Sequence, residues 1–136
     1  MARSFERLNM IDQSRIMTFL AAKDHERARD FYERTLGLKL LSDDLFAMVF
    51  DADGIMLRVQ KVKDFTPQPF TVLGWQVNDI AASIDRLSEK GVVFARYAWM
   101  EQDERGIWTT PDGAKVAWFN DPDGNVLSLT QFLSAC

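Results

Sequence analysis

Apolar and polar positions along this chain follow two rhythms, and the places where one replaces the other mark the elements. Ile16-Met17-Thr18-Phe19-Leu20-Ala21-Ala22 is a short apolar run that stops at Lys23-Asp24, the pattern of a buried strand turning into a helix. Asp24 suits an N-cap, because its carboxylate can accept from the free N–H groups of a first turn. Beyond it Ala28, Phe31, Tyr32 and Leu36 recur at three- and four-residue steps, with Glu26, Arg27, Arg29, Glu33 and Arg34 on the other side, which predicts an amphipathic helix. Gly37 stands where that helix needs a left-handed closing residue, and Leu38 to Leu41 resumes an extended pattern. Leu45 to Phe50 and Ile55 to Gln60 are two further apolar runs joined by Asp51-Ala52-Asp53-Gly54, whose Asp-Gly is a hairpin signal. The opening unit reads β-α-β-β-β.

Lys63 to Phe70, broken by Pro67 and Pro69, reads as a connector, and after it the same grammar returns. Val72 to Val77 leads to Asn78-Asp79, then to a helix that buries Ile80, Ile84 and Leu87 and closes at Gly91. Val92 to Tyr97 is the next strand candidate, and Lys115 to Asn120 joins Val126 to Thr130 through Asp121-Pro122-Asp123-Gly124. Asp24 to Asp79 is an offset of 55 residues and Asp51 to Asp121 one of 70, so the second copy carries about 15 extra residues, roughly Ala98 to Gly113. The expected organisation is an N-terminal extension (1–14) and one α+β domain (15–136). That domain comprises module 1 (15–62), the connector (63–70), module 2 (71–132) and a short tail, each module a curved mixed sheet with a helix on its outer face.

Alternate side chains of a strand point to opposite faces. Met17, Phe19 and Ala21 therefore separate from Thr18, Leu20 and Ala22, and Met56, Arg58 and Gln60 from Leu57 and Val59. In the second copy Val72, Gly74 and Gln76 separate from Leu73, Trp75 and Val77, and Val126, Ser128 and Thr130 from Leu127 and Leu129. The apolar sets belong under the helices. The other faces would line a cavity, with Arg58, Gln60, Gln76, Ser128 and Thr130 on its surface.

Composition narrows the chemistry. Sixteen Lys and Arg against twenty Asp and Glu give a formal charge of −4, which argues against a nucleic-acid partner held by counterion release. The single cysteine, Cys136, excludes an internal disulfide and a thiolate-rich zinc site, so the expected compartment is the cytoplasm. No apolar run approaches the ~20 residues of a membrane span, and Glu6, Asn9 and Asp12 interrupt the place of a signal peptide, so neither membrane insertion nor secretion is expected. One histidine, His25, cannot build a multi-histidine metal site.

Two segments carry a family resemblance. Lys23-Asp24-His25-Glu26-Arg27-Ala28-Arg29-Asp30-Phe31-Tyr32-Glu33-Arg34-Thr35-Leu36-Gly37-Leu38 resembles the first helix of the vicinal oxygen chelate superfamily, and Trp118 to Leu129, with Asn120-Asp121-Pro122-Asp123-Gly124-Asn125, resembles its last hairpin. That superfamily groups glyoxalase I, bleomycin-resistance proteins, fosfomycin-resistance enzymes, methylmalonyl-CoA epimerase and extradiol dioxygenases. The resemblance covers about residues 15 to 132 and implies the glyoxalase/bleomycin-resistance fold and a homodimer. It also implies where metal-dependent members hold their ion, on the first and last strand of each module. Those positions fall on Met17 and Val72 and on Arg58 and Ser128, none a good ligand for a divalent ion, and a guanidinium would occupy the place of the cation. No metal and no other cofactor is expected.

Arg58 then reads as an anchor for a carboxylate or phosphate, or as half of an internal salt bridge, or as a strand register slipped by one residue. Trp99 and Trp108 flank the extra segment of the second module, with Tyr97 before them, and read either as a stacking wall for a flat ligand or as a dimer contact. Trp118 alternates with Phe119 and so points to the cavity side. His25 reads as a surface residue, Asp121 to Asn125 as a structural turn, Cys136 as an idle thiol, and Glu101, Asp103 and Glu104 as a solvated cluster. The expected function is binding of a small organic molecule in a sheet-lined cavity, with Met17, Phe19, Arg58, Gln60, Gln76, Trp99, Trp108 and Ser128 in contact with it. The alternative is an enzyme of the same fold, a lyase, isomerase or dioxygenase using a non-standard metal or none.

Overall fold

The structure, a computed structural model, describes residues 10–133, so Cys136 lies outside the described residues. After a 3-10 turn at Ile11–Gln13 come β1 (Met17–Ala22), α1 (His25–Asp30), β2 (Lys39–Asp43), β3 (Ala47–Ala52) and β4 (Ile55–Lys61). The second half contributes β5 (Thr71–Gln76), α2 (Ile80–Glu89), β6 (Trp108–Thr109), β7 (Lys115–Asn120) and β8 (Val126–Gln131). The internal repeat is realised as two four-stranded mixed sheets of matching topology, β1-β4-β3-β2 and β5-β8-β7-β6. In each, the first strand runs parallel to the last, and the remaining neighbours are antiparallel.

The local signals act as the sequence suggests. Asp24 Oδ1 accepts from the Arg27 N–H at 3.2 Å and Asp79 Oδ1 from the Ala82 N–H at 3.1 Å, so both helices start on an Asp cap. Asp53 and Gly54 form a two-residue turn with φ of 53° and 90°, the left-handed pair that lets tightly twisted strands reverse. The second hairpin instead needs five residues, closed by the Asp121 N–H on the Asn125 carbonyl at 3.0 Å.

Two expectations need correction. The predicted first helix does not run as one α-helix to Leu36: α1 ends at Asp30 and the chain continues as a π-turn over Phe31–Thr35, with the Leu36 N–H on the Phe31 carbonyl. Val92 to Tyr97 is not a strand. It makes a single backbone bond toward β7, Ala95 N–H to Trp118 C=O at 2.8 Å, and β6 takes the edge position further along. The reason is the Gln102 side chain, which accepts from the Tyr97 N–H and donates to the Ala95 and Gly106 carbonyls at 2.8, 3.0 and 2.8 Å. A side-chain amide thus uses the backbone groups that a ladder would have used.

One hydrophobic core joins the two halves. Leu20, Ala22, Phe50, Leu57 and Val59 from the first sheet and Ala117, Phe119, Leu127 and Leu129 from the second are buried in the same cluster as Tyr32, Ile80 and Ile84 from the helices. The halves are also latched by polar groups. The Tyr32 hydroxyl donates to Asp121 Oδ2 at 2.6 Å, Asn125 Nδ2 donates to the Ala21 carbonyl at 2.9 Å, and Asp123 Oδ1 accepts from the Lys23 and Asp24 N–H groups. Burial and the neighbouring Asp121 charge push the Tyr32 hydroxyl far above its ordinary pKa.

Candidate functional site

Each sheet turns one face to the helices and leaves the other open. On the first sheet Leu20, Ala22, Leu57 and Val59 are in the core, so their alternates Met17, Phe19, Arg58 and Gln60 share the open face. Register brings them together: Phe19 and Val49 flank Arg58, and Ala21 and Ala47 flank Gln60. Met17 pairs with Met56 rather than with Arg58. Met17 is 45% and Phe19 52% exposed, large apolar side chains left uncovered on the edge strand β1.

Arg58 is half-buried there and, among the described residues, its guanidinium has neither a hydrogen bond nor an ion pair. The register is not slipped, since Leu57 and Val59 on either side are buried. Asp44 feels the Arg58 charge, but its carboxylate is held below its usual range first by the Phe46 and Ala47 N–H groups, on which its Oδ1 is spent. A guanidinium in this setting has five donors and none committed.

The second sheet presents Gln76, Ser128, Thr130, Val116 and Trp118 on its open face, with Trp108 across from Val116. Gln76, Thr110, Val116, Thr130 and Phe132 line a depression of about 660 Å³ there, within the ~300–1,000 Å³ range of small-molecule pockets. Ser128 is less available than its position suggests. It is only 7% exposed, flanked by Trp118 and by Gly74, where a Cβ would stand 2.6 Å from its Oγ.

Beside the depression runs a chain of rings. Trp108 lies 6.3 Å from Trp118, Trp118 is edge-on to Tyr97 at 5.9 Å, and Tyr97 lies 5.7 Å from Trp99, which is 78% exposed. The Trp118 Nε1–H is fixed on Thr71 Oγ1 at 3.0 Å. Sequence spacing singled out Trp99 and Trp108 but not the Tyr97–Trp118 bridge between them; the alternation of Trp118 with Phe119 was its one legible sign. The segment carrying Trp99 is anchored. Besides Gln102, the Arg96 guanidinium donates to the Asp103 and Glu104 carbonyls, Asp103 Oδ1 accepts from the Arg105 and Ile107 N–H groups, and Arg105 makes two bonds to Asp85 on α2. Asp103 is thus exposed, as the sequence suggests, and also caps the loop through Oδ1.

Elsewhere the polar groups have local work. Near α1 a depression of about 520 Å³ contains Arg29, Asp43, Glu33 and Lys61, which neutralise one another: Lys61 Nζ is 2.5 Å and Arg29 3.1 Å from Asp43. The Lys61 hydrogen bond is the main reason Asp43 ionises below its usual range. His25 sits at the start of α1 with Nε2 buried and unpartnered, beside Asp123 and not on either open face. Among the described residues no three His, Cys, Asp or Glu side chains gather closely enough to hold a metal ion.

The same architecture occurs in solved structures. TnmS3, an antibiotic binding protein from Streptomyces sp. CB03234, superposes with a TM-score of 0.68 at 27% identity, over 90% of this chain and 98% of that one. A member of the glyoxalase/bleomycin resistance protein/dioxygenase superfamily from Sphaerobacter thermophilus DSM 20745 gives 0.67 at 22% identity, over 88% and 97%. Lactoylglutathione lyase from Agrobacterium tumefaciens gives 0.64 at 16% identity, over 87% and 92%. No curated protein matches the chain. The sequence pattern of the Glyoxalase/Bleomycin resistance protein/Dioxygenase superfamily matches residues 11–129, and the chain belongs to that superfamily.

Proposed function

We propose that this protein binds a small organic molecule between open sheet faces, without a metal ion, as a cytoplasmic homodimer. The observation that carries the reading is Arg58: a half-buried guanidinium with no partner, framed by Phe19 and Val49. Such a group recognises a carboxylate or phosphate by paired hydrogen bonds. The Trp118, Tyr97 and Trp108 rings supply a wall for a flat apolar body. The similarity to an antibiotic binding protein supports binding over turnover.

The residues do not suit the divalent ion of metal-dependent superfamily members. Of the four positions at issue, Val72 has no donor, Met17 offers a soft thioether, Ser128 a neutral hydroxyl, and Arg58 a permanent positive charge. The shared core supports a dimer. Because both sheets turn their apolar faces into one cluster, the two open faces of a chain do not close on each other, and a second copy would cover Met17 and Phe19.

Native mass spectrometry of protein purified without added metal tests the ligand, the metal and the dimer together. A metal-free dimer carrying an organic molecule is the expected result. One divalent ion per subunit, or a monomer that retains and binds nothing, would overturn the reading.

A further inference from the structure

We infer a second binding site, on the helix side of the second sheet, for a small arylalkyl carboxylate. It does not depend on the open faces. A cavity of about 220 Å³ opens between α2, the core face of β5 and the segment that links α1 to β2. Its walls are Leu36, Leu38, Trp75, Leu87, Phe119 and Leu129. Ser83 and Arg86, one turn apart on the same side of α2, stand at its polar end.

Size and charge select the ligand. A dry apolar cavity of roughly 150 Å³ accepts benzene, and general small-molecule pockets begin near ~300 Å³, so 220 Å³ suits one ring with a short chain. Among the described residues the Arg86 guanidinium has no ion pair or hydrogen bond, although acids are close in sequence: Asp85 is committed to Arg105, and Glu89 forms no pair with it. Lys90, the next residue along that side of the helix, reaches the Arg34 and Thr35 carbonyls and adds positive charge. An uncommitted cation at the mouth of an apolar cavity favours a carboxylate over a neutral or cationic head. Gln76 borders both this cavity and the open-face depression, so the two sites share one residue of β5.

The tryptophans report the two sites separately. Trp75 lines this cavity, while Trp99, Trp108 and Trp118 belong to the ring chain of the open face. The experiment is fluorine NMR of the full chain labelled with 5-fluorotryptophan, assigned with Trp75→Phe and titrated with 4-phenylbutyrate and with 4-phenylbutanol. The expected result is a saturable shift of the Trp75 resonance alone, at least about tenfold weaker with the alcohol and with Arg86→Gln. The site is refuted if Trp75 does not respond up to millimolar probe, if the other three resonances move instead, or if acid, alcohol and Arg86→Gln all bind alike. Failure of this site leaves the open-face reading untouched, since that reading concerns the other three indoles.

Discussion

Tyr32→Phe removes one hydroxyl from the latch between the two halves and leaves the ring in place. The hydroxyl is buried and donates to Asp121 Oδ2 at 2.6 Å, while the ring packs on Phe31 and Phe50. Asp121 keeps three donors, the Asp123 and Asn125 N–H groups at 2.9 Å and Asn125 Nδ2 at 2.8 Å, so its carboxylate is not orphaned. The loss should therefore be that of one hydrogen bond to a charged acceptor, about 1.5–3 kcal/mol. In urea, with a slope of about 1–3 kcal/mol per molar, the unfolding midpoint should drop by roughly 1 M at neutral pH and fixed protein concentration. The alkaline limb adds a second signature. Because the folded pKa of Tyr32 lies above its unfolded value near 10, its contribution is fully present below pH ~10 and is lost as pH rises beyond it. In that range the unfolded chain releases the proton and the folded chain does not, so wild type should lose about 1.4 kcal/mol per pH unit more than Tyr32→Phe. The gap between the two proteins should shrink between pH 10 and pH 11. A neutral-pH difference under about 0.5 kcal/mol, or a gap that stays constant above pH 10, would refute the role assigned to this bond.

The remaining predictions concern the open faces and the loop. Gly74→Ala places a Cβ 2.6 Å from Ser128 Oγ and should cost about 1–3 kcal/mol, a penalty largely relieved in the Ser128→Ala background; equal penalties in both backgrounds by urea melts would count against that contact. Gln102→Ala deletes three hydrogen bonds and should destabilise by about 2–4 kcal/mol, with faster amide exchange at Tyr97 and in the residues around Ile107; unchanged exchange would show that the segment is held some other way. Arg58→Gln should leave the fold intact and weaken binding of whatever anionic molecule co-purifies by at least about tenfold in calorimetry. Undiminished affinity would remove Arg58 from the site.

Much of the architecture is written in local signals. Asp24, Asp79, Gly37 and the Asp53-Gly54 turn act within a few residues of themselves, so capping and turn chemistry show through without knowledge of the rest. Alternation along β1, β4 and β8 likewise assigns Leu20, Leu57 and Leu129 to the core, because one buried face fixes register. Arg58 was recognisable as a charge on the wrong face for a surface residue, and its lack of a partner was not, since that depends on where Asp44 spends its oxygen.

Sequence alone determined the repeat, the strand faces and the scarcity of histidine and cysteine, one of each, since these are properties of composition and period. Only the tertiary structure decided the rest: that Gln102 replaces a strand, that Tyr97 and Trp118 join two separate tryptophans into one wall, that Gly74 makes room for Ser128, and that Tyr32 reaches Asp121 across the halves. Each of these pairs groups from different segments of the chain, and such contacts are set by packing of whole elements, which no window of local pattern contains.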